Sequence, residues 1–124
     1  MELIDMSDYK MGPAEARFAD LIWENEPLTS GQLSKLGEAA LSWKKTTCFA
    51  VLKRLCERGI FQNQGGTVTS LLSREEFYAR NSEEYVEETF GGSLPAFLAA
   101  FGTRRKFSEK EIEELQKVID SMRG

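Results

Sequence analysis

The strongest local signal in the sequence is a helix start within residues 28–33, Leu-Thr-Ser-Gly-Gln-Leu. Thr29 and Gln32 have the spacing of a capping box, in which each side chain hydrogen-bonds the backbone N–H of the other residue. Leu28 and Leu33 flank this box at the positions of a hydrophobic staple. We therefore expect a helix that begins at Thr29 and ends near residue 41. Its buried stripe would consist of Leu33, Leu36 and Ala40.

A basic segment, residues 42–59, follows this helix, and its apolar residues recur with helical spacing. The i, i+3, i+4, i+7 pattern predicts a buried stripe made of Cys48, Val51, Leu52 and Leu55. The outward face would then present Thr46, Phe49, Ala50 and Lys53. We expect this helix to begin at Ser42 and to close at Gly59, where a left-handed residue is tolerated best. A short helix, a tight turn and a longer basic helix form a helix-turn-helix, whose second helix, here called the recognition helix, can read DNA.

The net charge of −4 argues at first sight against DNA binding, but the charges are unevenly distributed. Residues 1–72 contain eight Lys and Arg against nine Asp and Glu, whereas residues 73–124 contain eight against eleven. The one dense basic cluster lies in the predicted recognition helix and consists of Lys44, Lys45, Lys53, Arg54 and Arg58. Only Glu57 opposes it locally, so these cations are suited to contact phosphates.

The segments on either side complete a winged helix. Gly12 and Pro13 predict the start of a first helix, which residues 25–27 would end. Its apolar face would consist of Ala14, Phe18, Leu21 and Ile22. Beyond the recognition helix, residues 60–63 and 67–72 are strand-like, with a glycine-rich turn between them. The hairpin contains no Lys or Arg, so we expect this wing to contribute little to phosphate binding.

A polar helix is predicted to follow the wing and to run to about Phe90. Ser73 and Glu76 form a second capping box at its start, and Leu72 and Phe77 are placed to form the staple. The Asn81-Ser82 pair leaves open whether this helix is interrupted.

The last third of the chain predicts two more helices with no core of their own. Residues 94–101 are apolar and helix-like, residues 102–106 are typical of a linker, and Ser108 with Glu111 forms a third capping box. The final helix repeats Ile112, Leu115, Ile119 and Met122 in alternating three- and four-residue steps, the spacing of paired helices. We therefore expect a mainly α fold with a small β-hairpin. It would comprise a winged helix-turn-helix DNA-binding domain, 1–72, and a helical dimerisation domain, 73–124.

Several classes of function are disfavoured by what the sequence lacks. It has no histidine, no phosphate-binding glycine loop and no nucleophile motif, so we expect no enzyme, no catalytic residue and no cofactor. Its two cysteines lie more than two turns apart on one predicted helix, so we expect reduced thiols and no metal site. No apolar run is long enough to span a bilayer, and residues 1–5 lack the basic start of a signal peptide. We expect a cytoplasmic protein without direct membrane association.

Together these motifs resemble the BlaI/MecI/CopY family of bacterial penicillinase repressors over nearly the whole chain. The residues that carry the resemblance are Leu21-Ile22-Trp23, then Trp43 with Thr47, Lys53-Arg54-Leu55 and Gly59, then Tyr85 with Phe90-Gly91-Gly92, and last Phe-Ser-Glu-Lys-Glu-Ile-Glu-Glu-Leu at residues 107–115. It implies a transcriptional repressor that binds double-stranded DNA at a palindromic operator as a homodimer, with one recognition helix in each half-site.

By position, the resemblance also implies roles for individual residues. Facing the major groove would be Thr46, Thr47, Phe49, Ala50 and Lys53. Facing the DNA backbone would be Lys44, Lys45 and Arg54. Dimerisation would use Tyr85, Phe90, Leu94, Phe97, Leu98, Phe101, Ile112, Leu115, Ile119 and Met122. In the penicillinase branch a membrane sensor protease triggers cleavage of an Asn-Phe bond in the dimerisation domain, and the aligned bond here is Ala100–Phe101.

The chain departs from the family pattern in several places. Phe49 and Ala50 stand where relatives more often present polar residues, which favours contact with a thymine methyl over hydrogen-bonded readout. The wing is shorter than usual and lacks its basic and aromatic character. The cleavage pair is Ala-Phe instead of Asn-Phe. The C-terminal cysteine cluster of the copper branch is absent, which excludes copper sensing by that route.

Two alternative functions remain at this stage. A winged-helix module that binds protein instead of DNA would fit the acidic chain and the uncharged wing. A regulator that senses a ligand, without proteolytic induction, is the other. Salt dependence would distinguish a DNA binder, because its affinity falls steeply as salt rises. We expect Trp23 and Trp43 to pack in the core and the paired glutamates of residues 83–88 to form a solvated helix face.

Overall fold

The structure is a computed structural model that describes residues 10–123, so the predictions made for residues 1–5 lie outside it. Within that range six helices and three short strands follow one another. In chain order they are α1 (Pro13–Asn25), β1 (Leu28–Thr29), α2 (Ser30–Leu41), α3 (Lys45–Glu57), β2 (Phe61–Gln64), β3 (Thr67–Ser70), α4 (Arg74–Phe90), α5 (Leu94–Arg104) and α6 (Glu109–Ser121). The predicted winged-helix fold, mainly α with a small hairpin, is confirmed.

The chain divides into two compact units, residues 1–84 and 85–124, called unit 1 and unit 2 below. The division falls inside α4. The predicted separation into functional domains 1–72 and 73–124 stays a prediction. None of the helices described in residues 10–123 has the length and apolar character needed to cross a membrane.

The start of α2 is the capping box that the sequence predicts. The Thr29 hydroxyl accepts the Gln32 N–H at 3.0 Å, and the Gln32 side-chain oxygen accepts the Thr29 N–H at 2.9 Å. The helix ends at Leu41, as expected. Ala40, however, is exposed, and the buried residues of α2 are Leu33, Ser34 and Gly37. The predicted stripe was wrong at Ala40 because α3 packs against α2 one turn earlier, at Gly37.

The turn between α2 and α3 is longer than the sequence predicts. Ser42 adopts a left-handed conformation, with φ 59° and ψ 29°, and its N–H donates to the Glu38 carbonyl at 3.0 Å. This geometry ends α2, so α3 starts at Lys45 with Lys44 as its N-cap. The predicted helix start at Ser42 was therefore wrong by three residues.

The buried stripe of α3 is confirmed, because Cys48, Val51, Leu52 and Leu55 are all buried. Gly59, with φ 80°, ends the helix in a Schellman motif. Its N–H donates to the Cys56 carbonyl at 3.0 Å, and the next N–H, of Ile60, donates to the Leu55 carbonyl at 3.1 Å.

The hairpin of β2 and β3 is confirmed to within two residues at its ends. The strands pair antiparallel, and Gly65 and Gly66 form the turn, both with positive φ. A third strand, β1, was not predicted. It pairs with β3, with Leu28 opposite Val68, so the sheet order is β1-β3-β2. Two residues are too short to carry an alternation signal, and β1 exists only because β3 supplies its partner.

The core of unit 1 lies between the three N-terminal helices and the sheet, and its largest fully buried side chains are Phe18, Phe61, Phe77, Ile22, Leu33, Leu55, Ile60 and Val68. Both tryptophans pack against this core, as predicted. The Trp23 ring lies 5.1 Å from that of Phe61, and its indole N–H donates to the Leu72 carbonyl at 3.0 Å. The ring centroids of Trp43 and Phe18 lie 5.2 Å apart. Ala14, expected on the buried face of α1, is exposed.

The three C-terminal helices differ from expectation at two points. α4 runs unbroken through Asn81 and Ser82. α5 continues to Arg104, so the predicted linker at residues 102–106 was wrong at its start. The Thr103 hydroxyl donates to the Ala100 carbonyl at 2.7 Å within this last turn. The third capping box is confirmed, with Ser108 and Glu111 each accepting the N–H of the other residue at 3.1 Å.

Gly37 provides a direct test of the packing between α2 and α3. A Cβ atom added there would lie 2.5 Å from Cys48 Sγ and 3.4 Å from the Phe18 ring. We expect Gly37→Ala to lower the free energy of unfolding by about 1–3 kcal/mol, the usual cost of overpacking a core. Urea denaturation followed by circular dichroism measures it.

Gly31→Ala is the matched control, because a Cβ at Gly31 on the same helix meets only Thr29 Oγ1, at 3.8 Å. We expect no loss of stability there. In a Cys48→Ala background the cost of Gly37→Ala should shrink, because the sulfur that clashes is gone. An equal cost in both backgrounds would contradict the proposed clash.

Candidate nucleic-acid interface

The exposed face of α3 carries every residue predicted to enter the major groove: Thr46, Thr47, Phe49, Ala50 and Lys53 are all exposed. The buried stripe on the opposite side of the helix fixes this orientation. The structure therefore brings these five side chains together on one surface, called the reading face below. Their contacts with DNA stay a prediction.

Three lysines lie on or beside the reading face. Lys44 and Lys45 lie at the N-terminus of α3, where the unpaired N–H groups of the first turn also favour an anion. Lys53 lies two turns further along. Within residues 10–123, no carboxylate forms a salt bridge with any of these three lysines. Their charges are therefore available to a phosphate or a base.

Arg54 of α3 and Arg58, the C-cap of that helix, instead contact residues 10 and 15. Arg54 Nη2 lies 2.8 Å from Glu15 Oε2 on α1, and Arg58 Nη1 donates to the Lys10 carbonyl at 3.3 Å. The hydrogen bond from Arg54 is the main cause that lowers the pKa of Glu15 below its usual value. The Glu15 carboxylate also accepts the Gly12 N–H, at 3.4 Å. Arg54 stays more than half exposed, so it keeps donors that can meet a phosphate.

Glu15 is a part of the site that sequence reasoning missed. It lies 39 residues from Arg54 in sequence, and no local pattern connects the two. The only signal in the sequence was a glutamate at the third position of a predicted helix.

The wing adjoins the start of α2 and carries amide and hydroxyl groups. Asn63 Oδ1 accepts the Gly66 N–H at 3.0 Å, and Ser30 donates its own N–H to the Gly66 carbonyl at 2.9 Å. Gln62 bonds Thr69 across the two strands at 3.1 Å. These bonds stabilise the hairpin and its turn, but none of the groups that form them is a cation.

Both cysteines of α3 are free thiols. Cys48 is buried, as predicted for a small core residue, and Cys56 is half-buried. Burial raises the pKa of both thiols, so both are protonated at neutral pH and poorly suited to bind metal. Among residues 10–123, no group of three or more His, Cys, Asp and Glu side chains is arranged to hold a metal ion.

The residues predicted to dimerise lie in unit 2, where an aromatic chain links the helices. Phe90 lies 6.0 Å from Tyr85 and 5.6 Å from Phe97, measured between ring centroids. Phe101 lies 6.3 Å from Phe97 and stacks on Phe107 at 5.7 Å. No side chain in residues 85–123 is fully buried. The aromatic chain is thus the nearest approach to a core within this unit.

Three of the four pairing residues predicted in and just after α6 are among the exposed large apolar side chains of residues 10–123. Ile112 is 51% exposed, Ile119 45% and Met122 75%, while Leu115 is half-buried. Between α5 and α6 lies an open apolar cavity of about 350 Å³, lined mainly by Phe97, Leu98, Phe101, Phe107, Leu115 and Val118. Leu94 is 51% exposed at the start of α5. The geometry leaves these groups available to another surface.

The bond aligned with the family cleavage site, Ala100–Phe101, lies inside α5. The Ala100 carbonyl accepts the hydroxyl of Thr103, and Phe101 contacts aromatic rings on both sides. The bond is therefore held in helical geometry. Whether it is cleaved stays a prediction.

Comparison with known proteins agrees with this geometry. A family model described as penicillinase repressor matches residues 11–121 of the 124-residue chain. None of the curated proteins compared with the chain matches it.

The ion pair between Glu15 and Arg54 predicts a dependence of stability on pH. Because the folded pKa of Glu15 is lowered, its contribution is present above the unfolded pKa and is lost as pH falls through the folded value. We expect Glu15→Gln to destabilise the protein by about 0.5 kcal/mol at neutral pH, the scale of a surface ion pair. The difference should shrink as the pH is lowered and disappear once the Glu15 carboxyl is protonated in the folded protein. Urea denaturation at neutral and at acid pH measures it.

Glu24→Gln, at an exposed position of the same helix, is the control and should have little effect at either pH. A cost of Glu15→Gln that is the same at neutral and acid pH would contradict a charge interaction.

Proposed function

Because the chain belongs to the penicillinase repressor family, whose members are transcriptional repressors that bind DNA, we propose that it acts as a homodimer on a palindromic operator. Each protomer would place α3 in the major groove of one half-site. The observation that carries this proposal is the reading face. It is exposed, its lysines form no salt bridge with a carboxylate of residues 10–123, and the buried stripe behind it holds it outward.

The positions of these residues on α3 support separate roles in base contacts and in phosphate contacts. Thr46, Thr47, Phe49, Ala50 and Lys53 would meet base edges, because they lie on the outward face of α3. Lys44 and Lys45, at the N-terminus of the helix, and Arg54, on its flank, would meet phosphates. Phosphate contacts fix the register of the protein on DNA, and base contacts supply specificity.

The uncharged wing supports a requirement for two protomers. With no Lys or Arg in the hairpin, a single protomer offers few phosphate contacts. Joining two recognition helices makes the second binding event intramolecular and raises the affinity for a palindrome well above that for one half-site.

Unit 2 supports the homodimer. Its forty residues bury no side chain fully in the part described, and α6 exposes a row of apolar residues at helix-pairing spacing. We propose that ten residues form the interface: Tyr85, Phe90, Leu94, Phe97, Leu98, Phe101, Ile112, Leu115, Ile119 and Met122. A second copy of the chain would bury them.

Proteolysis in unit 2 is the route we propose for relief of repression. Cleavage of the Ala100–Phe101 bond would separate α6 from most of α5 and would divide the aromatic chain between Phe97 and Phe101. The protease would be a membrane sensor, as in the penicillinase branch of the family.

Lys53→Ala tests the reading face. We expect it to weaken binding to an operator, selected with the purified protein from random DNA, by about 5- to 100-fold, the scale of one lost base contact. Binding to non-specific DNA should change much less, because a base contact carries discrimination. Fluorescence anisotropy with both DNAs measures the two affinities.

Lys110→Ala, at an exposed lysine of α6, is the control and should leave both affinities unchanged. An equal loss on both DNAs would place Lys53 at the backbone. The same titrations at rising salt test the wider proposal, because a module that binds protein would select no DNA and show no steep salt dependence.

Leu115→Asp combined with Ile119→Asp tests the dimer. We expect a folded monomer that no longer protects a palindrome, because two carboxylates would be desolvated in an apolar interface. Sedimentation at micromolar concentration and footprinting measure both outcomes. The matched control is Glu113→Asp with Lys117→Asp, which introduces the same residue at two exposed polar positions of α6 and should preserve the dimer. A dimer that survives Leu115→Asp with Ile119→Asp would refute the interface.

A further inference from the structure

We propose that Phe49 and Ala50 form an apolar patch on α3 that recognises the C5 methyl group of a thymine in each half-site. The inference rests on the proposed function, because it requires α3 to enter the major groove. It makes Phe49 a specificity-determining residue.

The exposure of Phe49 is the first observation. Its side chain is 38% exposed, and among the described residues it is the only large apolar side chain of α3 that faces solvent to this extent. Its neighbour Ala50 is also exposed. Neither side chain can donate or accept a hydrogen bond. The reading face therefore includes a surface that gains from contact with an apolar group.

The placement of the Phe49 ring is the second observation. Lys45 Nζ lies 5.6 Å from the ring centroid, which is within the range of a cation–π contact. The ring also lines a surface groove of about 310 Å³ together with Ser30, Leu52 and Cys56. The contact with Lys45 restricts the ring on one side, which reduces the freedom that the ring loses when DNA binds and favours a specific contact.

The chemistry of the major groove selects the ligand. Each of the four possible base pairs, A·T, T·A, G·C and C·G, presents hydrogen-bond donors and acceptors in the major groove. The distinctive apolar group there is the C5 methyl of thymine. Thr46 and Lys53, on the same face, can supply hydrogen bonds to neighbouring base pairs. Polar readout thus surrounds one apolar contact.

Replacing thymine with deoxyuridine isolates the contact, because it removes the methyl group and leaves every hydrogen-bonding group in place. The full-length protein first selects operators from random double-stranded DNA. Each thymine of the selected operator is then replaced singly with deoxyuridine, and affinity is measured by fluorescence anisotropy. We expect one thymine position in each half-site to respond. Substitution in one half-site should weaken binding about fourfold, the contribution of one buried methyl group, and substitution in both half-sites should weaken it about 15-fold.

Phe49→Ala should bind the thymine and deoxyuridine operators equally, whereas Phe49→Leu should keep part of the preference. Lys44→Ala is the matched control from the same helix. It should weaken binding to both operators by the same factor and leave their ratio unchanged. Circular dichroism checks that each variant is folded.

Two results would overturn the inference while leaving the proposed function intact. One is an operator on which no deoxyuridine substitution weakens binding of the native protein. The other is a preference for thymine that persists undiminished in Phe49→Ala, which would assign the methyl contact to another residue. Failure to select any DNA would instead refute the proposed function itself.

Discussion

The position of the recognition helix depends on one residue that has no side chain. At Gly37 the backbone of α2 comes so close to α3 that an added Cβ would meet the Cys48 sulfur at 2.5 Å. This contact sets the spacing of the two helices, and the left-handed turn at Ser42 sets where α3 begins. Because the buried stripe of α3 then locks its rotation, the reading face is determined by packing behind it and not by anything on its surface.

How far the sequence predicted the fold depends on the range of each interaction. Capping boxes such as that of Thr29 join residues three apart, and the stripe of α3 repeats within two turns, so both were readable without a structure. The pairing of β1 with β3 and the ion pair of Glu15 with Arg54 join residues that are distant in sequence. No local sequence pattern predicts either interaction. The burial of Ala40 was predicted wrongly, because α3 packs against α2 at Gly37 instead. The end of α5 was also predicted wrongly, because the helix continues beyond residue 101 to Arg104.

The candidate site was predictable in its composition but not in its electrostatics. Helical periodicity alone placed Thr46, Phe49 and Lys53 on one exposed face, and the structure keeps them there. Helical periodicity could not distinguish cations that form a salt bridge, such as Arg54, from those that do not. In unit 2, the sequence predicted the need for a partner surface but not the surface itself. The apolar spacing of this unit indicated a need for burial. A unit of forty residues, with no fully buried side chain among the described residues 85–123, is too small to meet that need alone.

The helical setting of the Ala100–Phe101 bond bears on how fast repression could end. A protease accepts an extended backbone, so under the proposed cleavage the Ala100–Phe101 bond would be cut only while α5 is locally unwound. When opening and closing are fast compared with cutting, the cleavage rate follows the fraction of molecules that are open. Assembly of two protomers would lower that fraction. The kinetics of induction would then be gated by the strength of the dimer, and weakening the interface would shorten the delay before transcription resumes.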